Sequence, residues 1–501
     1  MPVTAIVVFC IFFLVVIFAG IWSAKWRLPK SEEGLHTLDE WGLGGRSFGT
    51  VIAWFLIGGD LYTAYTVIAV PAALYGSGAL GFFAVPYCVL VYPYMLLVMP
   101  RLWHVCKRKG YVTFADFVKG RFNLRWLTLA VAVTGILALM PYIALQLVGM
   151  RAVLEGLGMH GEIPLIIAFG ILAFFTYSTG LRAPAMIAIV KDVMLYITVL
   201  AAIIVLPIKL GGYGHIFSLA DAALKLHKPA ASIMLAPKQY SAYATLALGS
   251  TLALMLYPHT ATAVLSSKSA DTVRRNAALL PSYSVLLVFI ALLGFEALAA
   301  GVVTKDPNAA VPLLLMKMYP QWFSGFCMAA IAIGALVPAA IMSIAASNLF
   351  TRNLYGEFAR KRPTPRQETA MAKTVSLVVK LGALLFVLYL PTAYAIEMQL
   401  LGGIWIAQLF PAVIIGAFTR RLHPWALLAG WAAGMASGTA MAVAVGMKSV
   451  YPVRICGHVW PMYAAVPAVL LNLAVAALLT LLLTACRVSP GLDATVAEDY
   501  A

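Results

Sequence analysis

Residues Gly58-Gly59-Asp60 place a carboxylate directly after two adjacent glycines, in the middle of an apolar stretch covering residues 49–78. The stretch exceeds the roughly 20 residues that a membrane-spanning helix needs. A carboxylate at bilayer depth costs about 2.5–3.5 kcal/mol even on a lenient insertion scale, and paired glycines weaken a helix. A membrane helix that is broken and charged at its midpoint uses its freed backbone groups and half-helix ends to hold a solute and a coupling ion. Asp60 is therefore read as an ion-coupling residue, with the carbonyls of Gly58 and Gly59 as its neighbours in the site. A kink holding a buried, protonated aspartate is the competing reading. Past the break, Tyr62, Thr63 and Thr66 open a second half-helix. Its N-terminal amides carry partial positive charge and suit a carboxylate without an arginine. Ordinary interhelical hydrogen bonding is the alternative for these three.

A second interruption lies at Tyr257-Pro258-His259, inside the apolar run 242–265. Tyr257 and His259 flank the proline and are candidate solute or proton contacts, against the plainer reading of a satisfied structural histidine. Tyr142 and Gln146 are four apart and share a helix face, from which they could bond a hydroxyl or keto oxygen or simply pack. Asp192 follows Lys191 near the expected start of another span, where mutual neutralisation is the simplest reading. Lys380 is expected near a helix end, its ammonium reaching the interface. Glu296 falls within a span without an evident role.

These residues need a membrane bundle to position them. The chain has 501 residues, 62% hydrophobic and 11% charged, about half the charged fraction of a soluble protein. About thirteen spans are expected: 4–24, 49–78, 82–103, 126–148, 163–177, 185–206, 242–265, 279–300, 325–347, 374–390, 395–419, 425–445 and 462–483. The segment 209–240 reads as a long polar connection. The net charge of +16 sits in short loops and is no nucleic-acid signature. Loops after odd-numbered spans, with the C-terminal tail, collect about 25 of the 35 Lys and Arg, against about 9 on the other side. That asymmetry predicts an external N-terminus and a cytoplasmic C-terminus. The 6 cysteines are scattered, with no spacing for a disulfide framework or metal site. The two broken spans are the second and seventh, five apart, which predicts an inverted repeat of spans 2–6 and 7–11. The fold class is all-α: one transmembrane domain, with 1–48 a peripheral helix and loop, 49–419 the repeat core, 420–486 peripheral helices and 487–501 a tail.

Several stretches resemble the sodium:solute symporter family. They are Asp39-Glu40-Trp41-Gly42-Leu43-Gly44-Gly45-Arg46, the Gly-Gly-Asp break, Gly180-Leu181-Arg182-Ala183 leading to Asp192, Tyr257-Pro258-His259 followed by Ser266-Ser267-Lys268-Ser269, and Asn348-Leu349-Phe350-Thr351-Arg352-Asn353-Leu354-Tyr355. Within that family, Asp60–Pro71, Met140–Met150 and Gly334–Ala340 look like bacterial monocarboxylate permeases. The resemblance implies a LeuT-like 5+5 inverted-repeat fold in the bacterial inner membrane and uptake of lactate, pyruvate and related short acids. It also implies a role for Asp192 in ion release. One departure bears on the ion. Family members that use sodium carry adjacent hydroxyl residues on the ninth span, and those positions fall here on Val337 and Pro338. Any sodium would then lie near Gly58, Asp60 and Ser343. Desolvation disfavours the charged form of a carboxyl group, so a proton on Asp60 is preferred to sodium as the coupling ion.

The expected function is a secondary active symporter of a small organic acid, with the lipid bilayer as its surroundings and H+ or Na+ as coupling ion. No cofactor, nucleic acid or obligatory protein partner is expected. A sodium-coupled symporter of another small solute is the nearest alternative. A membrane sensor would need a signalling domain, for which the tail after residue 483 is too short. No HExxH, GxSxG or P-loop motif points to an intramembrane enzyme or to ATP.

Overall fold

The computed structural model describes residues 2–25, 37–227, 231–359, 361, 363–389 and 395–501. Among them, ten helices are long and apolar enough to cross a membrane. Each segment read as a span coincides with a helix or with two half-helices. The ninth, Gln321–Leu349, is buried along its whole run from Cys327 to Leu349. Its many alanines and glycines allow close approach, which is how membrane helices pack when the solvent is as apolar as they are. It contacts the first (Val3–Lys25), fourth (Arg125–Gly156), sixth (Arg182–Lys209) and tenth (Pro365–Tyr389) helices. The last two helices, Pro424–Ala444 and Ala465–Ala485, pack mainly on each other. A side chain at Gly430 would lie 2.6 Å from the Asn472 carbonyl oxygen.

Several expectations change. The 209–240 connection contains a helix, Tyr213–His227, which packs on the eighth helix, Pro281–Ala299. Its buried Ile216, Ala220 and Leu224 recur every four residues, a stripe masked by Asp221 within it and Lys225 after it. The tenth helix starts at Pro365 rather than Thr374. Strands Val450–Ile455 and His458–Tyr463 form an antiparallel hairpin between the last two spans, an exception to the all-helical expectation. Cys456 and Gly457 both have positive φ there (49° and 82°), as a two-residue type I′ turn requires. Arg360 and Arg362 of the basic loop, Lys228, and residues 26–36 of the first loop lie outside the described residues.

Three of the stretches that carried the family resemblance, 39–46, 180–183 and 266–269, converge at one end of the bundle. Arg46 bonds Asp39 at 2.8 Å and the Tyr111 carbonyl at 2.7 Å. Arg182 pairs with Glu40 at 2.7 Å, and the Leu181 amide donates to the Trp41 carbonyl at 2.9 Å. The Lys268 amide donates to the Phe48 carbonyl at 2.8 Å, joining the entrance of the first broken helix to the exit of the second. These residues are a clasp that fixes the two broken helices relative to each other.

Candidate solute and ion site at the two helix breaks

The first half-helix, Thr50–Gly59, stops at Asp60. The chain turns through Leu61, Tyr62 and Thr63 and resumes with a π-helical turn, Tyr65–Ala69, followed by Val70–Ser77. The glycines are required by what lies alongside. A Cβ on Gly58 would stand 2.7 Å from the Tyr283 ring, and one on Gly59 would stand 2.9 Å from Lys191 Nζ and Asp192 Oδ2. In the seventh span, Tyr240–Leu254 is separated from Pro258–Leu265 by residues 255–257. Tyr257 is extended, with ψ 134°, as a residue before proline prefers.

The first break sorts its groups to two sides. On one, the Asp60 carboxylate faces the second break. Thr260 Oγ1 donates to Asp60 Oδ2 at 3.3 Å, and His259 Nε2 lies 3.5 Å from the same oxygen. Among the described residues, Asp60 Oδ1 and both His259 nitrogens have no hydrogen-bond partner. The His259 ring packs at 5.2 Å against both Tyr142 and Tyr257, and those tyrosines meet each other at 5.4 Å. On the other side, Lys191 Nζ donates to the carbonyls of Gly59 (2.7 Å) and Tyr62 (3.0 Å) and lies 2.9 Å from Asp192 Oδ1. The Tyr283 hydroxyl donates to Asp192 Oδ2, and the Tyr62 hydroxyl donates to the Tyr283 carbonyl.

Asp60, Tyr142, Tyr257 and His259 are thus gathered in one cluster. It is closed, with none of the four more than 3% exposed, so a solute reaches it only after the helices shift. The other expected residues are engaged elsewhere. Tyr62 turns to the Lys191 side. Gln146 Oε1 accepts the Ala64 amide at 3.1 Å, and Thr63 Oγ1 accepts the Tyr65 amide at 3.0 Å. Two of the half-helix amides read as an anion cradle therefore already have acceptors, which a carboxylate would have to displace. The Thr66 hydroxyl donates to the Leu61 carbonyl across the break. The Gly58 carbonyl accepts the Leu61 and Tyr62 amides at 2.9 and 3.2 Å.

Ser343 bonds the Ala340 carbonyl at 2.8 Å and the Ser376 hydroxyl at 3.2 Å, and Lys380 Nζ donates to Ser376 at 2.7 Å. Among the described residues no hydrogen bond joins Ser343 to Gly58 or Asp60. Lys380 is 1% exposed, buried in the bundle instead of reaching an interface. Asp192 sits well inside its helix, because the sixth span begins at Arg182. Glu296 is 2% exposed, and its Oε2 has no hydrogen-bond partner among the described residues. The sequence reading missed two participants and gave a third too small a role. Thr260 was findable as the hydroxyl next to His259. Lys191 was seen and assigned only to its neighbour. Nothing in the sequence signalled Tyr283.

Comparison with known proteins agrees with this architecture. The profile of the sodium:solute symporter family matches residues 41–434. A protein of Rhizobium johnstonii named monocarboxylate transport permease protein is 52% identical over 482 residues, 96% of this chain and 97% of that one. A Bacillus subtilis protein named uncharacterized symporter YodF is 34% identical over 439 residues, 86% of each chain. A solved structure of a Na+-coupled sialic acid symporter, substrate-bound and outward-open, superposes with a TM-score of 0.78 at 15% identity, covering 96% of this chain and 97% of that one. The fold is the LeuT-like one that two broken helices five spans apart implied. With its breaks meeting at Asp60 and Thr260, the chain is a multi-pass membrane transporter and not an enzyme, and it belongs to the sodium:solute symporter family.

Proposed function

We propose that this solute symporter takes up short monocarboxylates, lactate and pyruvate foremost, with alanine, acetate and propionate as further candidates, and that a proton is the coupling ion. The observation that carries the reading is the half-satisfied carboxylate of Asp60, bonded to Thr260 through one oxygen and unpartnered at the other, beside Tyr142, Tyr257 and His259. A buried histidine and the tyrosine and threonine hydroxyls beside it suit a small acid with one hydroxyl or keto oxygen. The name of the Rhizobium johnstonii relative supports the substrate class. On this reading Tyr142, Tyr257 and His259 contact the solute directly. Gln146, Thr63 and Thr66 shape the half-helix that receives its carboxylate, and Tyr62 links that half-helix to the ion side. Gly58, Gly59, Asp60 and Asp192 form the ion-coupling set. Residues 49–419 are the working core, flanked by 1–48, 420–486 and the tail 487–501. The N-terminus faces outward and the tail faces the cytoplasm of a bacterial inner membrane.

A proton is preferred to sodium because Val337 and Pro338 offer no side-chain oxygen and Ser343 bonds towards the tenth span. The test is uptake of labelled lactate into vesicles with sodium and pH gradients imposed separately. Uptake in sodium-free medium, stimulated by an inward proton gradient and competed by pyruvate but not succinate, is expected. Strict sodium dependence without response to the pH gradient would sink the proton assignment. Inhibition by succinate as strong as by pyruvate would sink the substrate assignment.

A further inference from the structure

The ammonium of Lys191 has three hydrogens, and three oxygens surround it: Gly59 O at 2.7 Å, Tyr62 O at 3.0 Å and Asp192 Oδ1 at 2.9 Å. Lys191 and Asp192 are both fully buried. An unpaired ammonium in that position would be costly, so its partners are essential to the fold. Two of them are main-chain carbonyls which, in an unbroken helix, would accept the amides four residues further on. The break frees them, and the Gly59 carbonyl lies at the C-terminal end of a half-helix, where the backbone dipole favours positive charge, while the Tyr62 carbonyl lies in the turn beyond it. Freed carbonyls at such an end, with a carboxylate beside them, are the oxygen set that holds a monovalent cation in broken-helix transporters. Here that set closes on a side chain.

The charge of Lys191 is matched beside it by a single carboxylate in direct contact. Asp192 from its own helix supplies one negative charge. From other elements, the Tyr283 hydroxyl donates to Asp192 Oδ2 and the Tyr62 hydroxyl to the Tyr283 carbonyl, with the Tyr196 ring packed against both tyrosines at 6.1 and 5.4 Å. The Asp60 carboxylate is engaged on the opposite side of the break by Thr260.

We infer that Lys191 is a tethered cation, occupying the position in the first break that a free sodium ion would otherwise take, and that it excludes sodium there. The inference rests on reading the first break as the coupling site. It makes Lys191 the residue that determines ion specificity, and it predicts that a neutral, shorter side chain converts the cage into a sodium site.

The experiment uses the purified full-length protein in detergent and follows thermal unfolding in NaCl against choline chloride at equal ionic strength. The wild type is expected to melt at the same temperature in both salts. Lys191→Ala, and Lys191→Gln as a second neutral variant, are expected to show a saturable upward shift in NaCl. That shift should disappear when Asp192→Asn is added. A neutral variant that folds only in sodium gives the same result in a stronger form. Three outcomes overturn the inference: both variants fold in neither salt, or neither responds to sodium, or the gained response persists with Asp192→Asn. A wild-type sodium shift that neutralising Lys191 does not increase overturns it as well. None of these readouts involves a solute, so absence of lactate uptake would reject the transport reading while leaving this result standing.

Discussion

Thr260 Oγ1 and Asp60 Oδ2 are 3.3 Å apart although 200 residues separate them in the chain. This contact joins the two interrupted helices at their midpoints. Asp60 therefore reports the state of one break to the other, and its free Oδ1 leaves it able to take a proton without losing Thr260. Replacing Asp60 by asparagine keeps the shape and an acceptor oxygen for Thr260 but removes titration. Asp60→Asn is expected to reach the membrane at wild-type levels and bind solute, while concentrative uptake falls at least tenfold, about 1.4 kcal/mol in coupling. Accumulation at the wild-type rate would make Asp60 a structural residue.

Much of this site was legible in the sequence, and the limit of legibility has a physical cause. Glycine pairs, a proline and an acid inside apolar runs announce broken helices by composition alone, and spacing by four put Tyr142 and Gln146 on one face. What spacing does not give is the partner across the interface. Gln146 faces the expected half-helix, yet its oxygen caps the Ala64 amide. Tyr62 lies two residues from Asp60 but faces the opposite side, because the chain is turning there and helical periodicity does not apply. Lys191 looked like a neighbour neutralising Asp192, whereas both of its hydrogen-bond acceptors come from the first break, 132 and 129 residues away. The hairpin at residues 450–463 escaped notice because its strands are short and half-exposed.

The clasp at the bundle end gives a stability prediction. Gly180 has φ 58° and ψ −141°, a conformation open essentially to glycine alone. A Cβ there would lie 2.8 Å from Trp41 Cδ1. Gly180→Val is expected to destabilise the protein by about 1–3 kcal/mol from backbone strain alone, with Trp41 and the Glu40–Arg182 pair displaced. A lowered thermal midpoint of the purified variant is the readout. An unchanged midpoint would show that the turn relaxes freely.

Orientation can be tested with a native thiol. Cys456 is exposed at the tip of the hairpin between the last two spans, which the distribution of basic residues assigns to the outside. Lys361 is exposed in the basic loop on the opposite side. In intact cells a membrane-impermeant maleimide is expected to label Cys456 and to spare a Lys361→Cys variant in a background lacking Cys456. The reverse pattern would invert the topology and, with it, the direction of the repeat.

The charge balance of coupling fixes how the driving force divides between the pH gradient and the membrane potential. A monocarboxylate anion that moves with one proton transfers no net charge. The membrane potential, worth about 2.3 kcal/mol per charge per 100 mV, then does no work on the cycle, and only the pH gradient drives accumulation. Alanine is a zwitterion, so the same stoichiometry moves one positive charge and responds to the potential. In proteoliposomes with a potassium diffusion potential, negative inside, lactate accumulation is expected to follow the pH gradient and ignore the potential, whereas any alanine uptake follows both. Asp60→Asn should abolish both responses. Lactate accumulation that tracks the potential in sodium at symmetric pH would require more than one cation per anion, which a single titrating carboxylate at Asp60 cannot supply.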